Sequence, residues 1–244
     1  MPAAVTGRRY VITGSASGIG AATAARLRAE GAHVIGIDVG AADIVADLGT
    51  SDGRRHTVAA MRDAIGPAID AVIACAGTTE RSPSIVRVNY LGITDLLQRL
   101  QVMLAAGSDP RVVVVSSLAA IHPVDQTTVT ACLSANEGAA VAAAEQAIAK
   151  GNSGLLYAST KQALSRWVRA SAARQEWAGA GIALNAVCPG TVRTPMTEDL
   201  LADPESRRML DTVVPMPLGG YLSPQTVAGL LTWLAAPDNT HITG

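Results

Sequence analysis

Tyr157 and Lys161 stand four residues apart. On a helix that spacing puts a phenol and an ammonium on one face, where the cation favours the phenolate and suits the tyrosine to proton transfer near neutral pH. With two lysines, Lys150 and Lys161, and four tyrosines in the chain, the pairing is informative. An alcohol that gives up a hydride must also lose its hydroxyl proton, and a base of matched pKa within hydrogen-bond reach accelerates that loss. A free phenol must fall about three pKa units to work near pH 7, about 4 kcal/mol. One cation about 4 Å away at an effective dielectric near 20 is worth about that much. The expectation is a Tyr157 lowered in pKa by Lys161.

A glycine-rich run, Thr13-Gly14-Ser15-Ala16-Ser17-Gly18-Ile19-Gly20, follows the first apolar stretch. Between a strand and a helix, such a run lets the backbone turn tightly, approach a pyrophosphate and aim helix N–H groups at it. Ser15 and Ser17 can add hydroxyl donors. The spacing is Gly-x-x-x-Gly-x-Gly rather than Gly-x-Gly-x-x-Gly, so a tight turn without a ligand is the competing reading. Asp38 lies 18 residues past Gly20, where a carboxylate can accept hydrogen bonds from ribose hydroxyls and repel a 2′-phosphate. That favours NAD over NADP, against the alternative that Asp38 starts a turn. Asp47 and Leu48 could hold an adenine amino group and ring, or form a solvated loop. With a nicotinamide ring present, its positive charge would add to that of Lys161.

The elements that must position these groups follow from the pattern of apolar residues. Short β-branched runs at 10–13, 33–37, 71–74, 111–116 and 182–187 read as strands, and their near-continuous apolarity marks a sheet covered on both faces. Residues 18–30, 51–64, 85–106, 157–177 and 224–235 read as helices, with Gly31, Gly66, Gly107 and Gly179 at C-terminal cap positions. Strict alternation implies an α/β fold, a single-domain, Rossmann-type doubly wound parallel sheet over residues 1–244 with helices on both faces. Two stretches interrupt the rhythm. Residues 122–154 form a long insertion before the Tyr157 helix, with an alanine-rich helix expected over 135–150. Residues 195–223 carry prolines at 195, 204, 215 and 217 among apolar Met196, Leu200, Leu201, Met209 and Met216, which suits a mobile loop over a substrate. After Pro237 the chain runs to Gly244, where a further strand is expected; the sequence reads as cut short or lacking a tail.

Composition narrows the function classes. The chain has 244 residues, 16% charged and 49% apolar, with net charge −1. That balance argues against disorder and against electrostatic attraction to nucleic acid or an anionic membrane, and the absence of phenylalanine leaves few rings for base stacking. Cys75, Cys132 and Cys188 are far apart and odd in number, which fits reduced thiols in a cytoplasmic protein and implies no metal. No basic start leads into an apolar stretch, and no run is long enough to span a membrane. The four histidines are scattered, with His122 near enough to Ser117 to edge a pocket.

Ser117 ends an apolar strand and could hydrogen-bond a substrate oxygen, though serine is common there. Asn89, a poor helix former, could bend its helix around a water or satisfy a buried carbonyl. The glycine run, Asp38, Ala76-Gly77, Asn89, Ser116-Ser117, Tyr157-x-x-x-Lys161 and Pro189-Gly190 occur in an order and spacing that resembles the short-chain dehydrogenase/reductase family over the whole chain. The resemblance implies a catalytic tetrad of Asn89, Ser117, Tyr157 and Lys161. It also implies nicotinamide and phosphate contacts from Val192 and Thr194, after Pro189-Gly190. Cys75 stands where the family has asparagine, and reads as a small buried residue. The 40-residue gap from Ser117 to Tyr157 exceeds the family norm and looks like the bacterial 3α-hydroxysteroid dehydrogenase/carbonyl reductase subgroup, with coniferyl alcohol dehydrogenases similar. What this implies is an NAD-dependent enzyme acting on a small apolar alcohol or carbonyl compound, a steroid or an aryl alcohol, and assembling as a homodimer. A nucleotide-sensing regulator that kept the fold and lost the reaction is the alternative outside the enzymes.

Overall fold

The structure is a computed structural model that describes residues 5–244. In chain order its elements are β1 (Arg9–Thr13), α1 (Gly18–Ala29), β2 (His33–Asp38), β3 (Ile44–Val45), α2 (Ser51–Ile65), β4 (Ala71–Ala74) and α3 (Ser84–Val86). A π-helical turn at Arg87–Leu91 then leads into α4 (Gly92–Ala105), followed by β5 (Arg111–Val115), α5 (Gln126–Leu133), α6 (Glu137–Ala149), α7 (Leu156–Ser171) and β6 (Ala183–Val187). Last come α8 (Glu198–Ala202), α9 (Pro204–Val213) and α10 (Pro224–Ala235).

The apolar strands have no polar face because the sheet has no wet side. Val11, Val72, Ala74, Val112 and Leu184 face one layer, where Met61 of α2, Leu97 and Leu100 of α4 and Leu164 of α7 pack against them. Tyr10, Ile12, Ile73, Val113 and Val115 face the other, against Leu27 of α1 and Leu231 of α10. The six parallel strands run in the order β3-β2-β1-β4-β5-β6, in register through Ile35, Val11, Val72, Val112 and Leu184. Chain direction across the sheet reverses between β1 and β4. Ligands of such sheets bind in the crevice beyond the carboxyl ends of the strands at that point, which is where Gly14 and Cys75 emerge.

Several sequence expectations need correction. The Tyr157 helix ends at Ser171 rather than 177, because Trp177 is 2% exposed and packs edge-on against Trp167 at 5.8 Å, which requires the chain to fold back. Gly179 therefore caps no long helix; Gly181 takes the left-handed conformation in this connection. The segment between β5 and α7 holds α5 as well as the expected alanine-rich α6. Asp125 and Asn136 cap these two helices by accepting from the N–H groups of Thr128 and Ala139. Buried Arg54 ties α6 to the body, pairing with Asp95 at 2.6 Å and Glu137 at 2.8 Å. The 195–223 stretch is not a loop throughout but carries α8 and α9. Residues 241–244 form no strand; Thr243 and Gly244 instead hydrogen-bond Leu184 of β6. Among the described residues no helix is long and apolar enough to cross a membrane.

Candidate active site

The glycine run forms a cradle because side chains would not fit. Gly14 has φ +69°, and a Cβ there would lie 2.8 Å from the Ala76 amide nitrogen. At Gly20, in the first turn of α1, a Cβ would meet the Gly14 carbonyl oxygen at 2.0 Å. The loop after β1 thus lies against both its own helix and the loop after β4, a contact locked by the Ala76 N–H donating to Thr13 Oγ1 at 3.1 Å. Ser17 caps α1 without a side-chain hydrogen bond, and no acidic residue occupies the first turn. The helix N-terminus is left to an anion.

A cavity of about 780 Å³ runs from this cradle along the carboxyl edge of the sheet. Of the residues singled out from sequence, Gly14, Ser17, Gly18, Ile19 and Gly20 line it, as do Asp38, Asp47 and Leu48 at one end. Cys75, Ala76 and Gly77 form its middle, and Ser117, Tyr157, Lys161, Pro189, Gly190, Val192 and Thr194 surround the other end. Ser15 and Ala16 do not line it. The Ser15 hydroxyl sits where a Gly36 side chain would be, and the Ala16 N–H donates to Asp38 Oδ2 at 3.0 Å. Asp38 Oδ1 accepts from Gly40 N–H, and Asp47 Oδ1 from Gly49 N–H, so both carboxylates are fixed by their own turns.

Asn89 is fully buried, outside the cavity wall, within the π-helical turn. Its Oδ1 accepts from Thr78 N–H at 2.7 Å, and its Nδ2 donates to the Thr78 carbonyl at 2.9 Å and Thr160 Oγ1 at 3.3 Å. The side chain joins the loop after β4 to α7, one residue before Lys161. Thr78 and Thr160 are the partners that sequence reading did not find, since nothing local in the chain links them to residue 89.

Tyr157 and Lys161 share a face of α7, with Lys161 Nζ 5.7 Å from the phenol ring centroid. Lys161 is 4% exposed, and its ammonium donates to the Val115 carbonyl at 3.0 Å. Burial pulls its pKa down to about 8, against weaker upward influences of Cys75 and Cys188. The expected lowering of Tyr157 is reversed: burial raises its pKa, and the Ser117 hydroxyl offsets part of the rise. The ammonium turns to a backbone carbonyl, and burial of the phenol sets the direction of the shift, with the Ser117 hydroxyl acting against it. Ser117 Oγ accepts from Ala119 N–H, which leaves its own proton to donate. Burial pushes the Cys75 thiol up to about 12, so it is no nucleophile at neutral pH.

The rest of the wall is mixed, with polar Thr78, Thr79, Glu80 and Arg81 from the loop after β4 and an apolar stretch from the cover. Met196, Leu200, Leu210, Val213 and Val214 come from the 195–214 cover, and Ser153, Gly154 and His122 line the same cavity. Of the apolar residues expected in that cover, Leu201 and Met209 do not line the cavity, while Met216 packs its sulfur close to Gly190. Leu210, Val213 and Val214 were not foreseen; helical periodicity over 204–213 is the signal that would have found the first two.

Residues 8–132 match the family model described as short chain dehydrogenase, and residues 129–244 match one described as enoyl-(acyl carrier protein) reductase. The chain is 34% identical to the 3-alpha-hydroxysteroid dehydrogenase/carbonyl reductase of Comamonas testosteroni, covering 96% of this chain and 91% of the relative. It is 31% identical to the 3-oxoacyl-[acyl-carrier-protein] reductase of Thermotoga maritima, covering 98% and 94%. The crystal structure of a 3-alpha-hydroxysteroid dehydrogenase from a Pseudomonas species, complexed with NADH, superposes with a TM-score of 0.89 at 39% identity, over 96% of this chain and 92% of that one.

Proposed function

This chain belongs to the short-chain dehydrogenase/reductase family of oxidoreductases, and from that premise we propose that it uses NAD(H) to interconvert a secondary alcohol and a ketone on an apolar, steroid-like substrate. The observation that carries the reading is one cavity holding Tyr157, Lys161 and Ser117 at one end and the glycine cradle with Asp38 at the other.

The residues present fit a dinucleotide. Gly14 and Gly20 leave a cradle that any Cβ would fill, and α1 aims its uncapped first turn at it. Asp38 would accept the ribose hydroxyls and disfavour a 2′-phosphate; the lysine and arginine on the cavity wall are Lys161 of α7 and Arg81 of the loop after β4. Asp47 and Leu48 would take the adenine, and Val192 and Thr194 the nicotinamide end. When bound, the cofactor supplies the hydride acceptor or donor. Tyr157 takes the substrate hydroxyl proton in oxidation as the phenolate and returns it in reduction. The Lys161 charge, the Ser117 hydroxyl and the positive ring of a bound oxidised nicotinamide would favour that phenolate against the rise that burial gives the cofactor-free protein. Ser117 donates a hydrogen bond to the substrate oxygen as charge develops there, while Lys161 holds positive charge near the phenol. Asn89 fixes the loop after β4 against α7, keeping Gly77 beside Lys161.

Substrate class rests on the cover. Its apolar wall suits a large apolar body, and the 34% relative is named for 3α-hydroxysteroids. An aryl alcohol is the second reading, since His122 and Ser153 at the same end also accommodate a small ring bearing oxygens. A homodimer is the assembly favoured here, with α5 packed over α7.

The test is turnover, followed at the reduced-nicotinamide band, with NAD(H) and NADP(H) against a panel of 3-hydroxysteroids, 3-oxosteroids and aryl alcohols. Steroid turnover with NAD(H), lost in Tyr157→Phe while NADH binding persists, is expected. NADH binding without turnover of any compound would instead favour the regulator.

A further inference from the structure

We propose that Tyr221 is a positioning residue for this reaction: it clamps the cover helix α9 to the loop after β6 and thereby sets affinity for the apolar substrate. The inference rests on the reading of α8 and α9 as the substrate cover.

α9 is poorly anchored by packing. It contributes Leu210 and Val213 to the cavity wall, yet none of its residues is buried, and Met209 and Val213 are 60% and 47% exposed. A helix this short does not hold its place in water without tertiary contacts. Tyr221 supplies them. Its hydroxyl donates to the Asp211 carboxylate, and the Arg207 guanidinium lies 5.8 Å from its ring centroid. Arg207 and Asp211 are one helical turn apart, so one face of α9 meets one ring.

The opposite grip comes from the cofactor side. Arg193 lies 5.2 Å from the same ring centroid, so the ring interacts with one cation from the loop after β6 and one from the cover. The backbone reinforces this. Leu222 N–H donates to the Thr191 carbonyl and Arg193 N–H to the Leu222 carbonyl, both at 2.9 Å, forming a parallel bridge between Val192 and Leu222. Val192 lines the cavity. Immediately before Tyr221, Gly219 and Gly220 both take positive φ, +78° and +73°, and this turn brings the chain from α9 back to the bridge. Released from Tyr221, α9 can swing about that pair. Tyr157 and Lys161 sit on α7, outside the clamp, so its loss acts on substrate binding and spares the chemical step.

The experiment compares Tyr221→Ala, Tyr221→Phe and Asp211→Asn with wild type in the full chain. One arm is limited trypsin digestion without substrate, read by mass spectrometry at Arg207 and Arg208 of α9 against Arg169 and Arg174 as internal references. Tyr221→Ala should speed cleavage after Arg207 and Arg208 about fivefold relative to the references. The other arm is steady-state kinetics with NAD(H) and a substrate found in the screen, where Tyr221→Ala should raise KM about tenfold and leave kcat within about twofold. Tyr221→Phe keeps the ring between the guanidiniums and loses the hydroxyl, so it should fall between. Asp211→Asn still accepts the hydrogen bond and should stay near wild type. Unchanged cleavage in Tyr221→Ala overturns the clamp whatever the substrate. Faster cleavage with KM unmoved, or a fall in kcat alone, overturns its link to substrate affinity. An inactive wild type would count against the proposed function, and the digestion would still decide the clamp.

Discussion

Replacing Lys161 by methionine should stabilise the cofactor-free protein at neutral pH while abolishing turnover, and the stabilisation should reverse at high pH. The ammonium is 4% exposed, and burial depresses its pKa from 10.5 to about 8. At pH values below the folded pKa, both the folded and unfolded chains carry the proton, and folding bears the full cost of desolvating the charge. The depression corresponds to about 3 kcal/mol, at about 1.4 kcal/mol per unit. As pH rises from about 8 to 10.5, the folded chain loses its proton first and the cost fades. Once the unfolded lysine is also neutral, the cost is gone. Methionine brings no charge, but it removes the donor to the Val115 carbonyl, a loss of about 1 to 2 kcal/mol at every pH. The variant should therefore be more stable by about 1 to 2 kcal/mol near pH 7 and less stable by a similar amount near pH 10.5. For a chain of this size that is a melting shift of about 2 to 8 °C, upward at pH 7 and downward at high pH. Urea or calorimetric unfolding of both apoproteins across that range measures it. A variant destabilised equally at all pH values would refute the claim that the buried charge strains the fold.

Three further outcomes follow from the same geometry. Ser117 is the group that lowers the Tyr157 pKa, so Ser117→Ala should move the pH profile of kcat/KM for oxidation to higher pH and reduce its plateau about 100-fold. Asp38→Ala removes the carboxylate beside the nucleotide cradle; calorimetry should show NADH affinity falling about tenfold and the preference over NADPH disappearing. In Gly20→Ala the new methyl would meet the Gly14 carbonyl at 2.0 Å, so stability should drop by about 1 to 3 kcal/mol by urea unfolding, with loss of NADH binding.

The features legible in the sequence are those that one element encodes alone. The four-residue spacing of Tyr157 and Lys161 places both on one face of a helix wherever that helix packs. Glycines between a strand and a helix announce a turn that side chains would obstruct, and strands apolar at every position need two covered faces. What escaped depends on residues far apart in the chain. Asn89 offered two local readings until folding brought Thr78 and Thr160 to it, and α7 stops at Ser171 because Trp177 is drawn back onto Trp167. The prolines of 195–217 suggested a mobile loop, whereas Pro204 opens α9 at a first-turn position where no amide donor is missed. The sign of the Tyr157 shift was misread for the same reason. Charge attraction can be anticipated from spacing, but the desolvation that raises Tyr157 depends on how much of the protein closes over the phenol, and that is a property of the assembled layers.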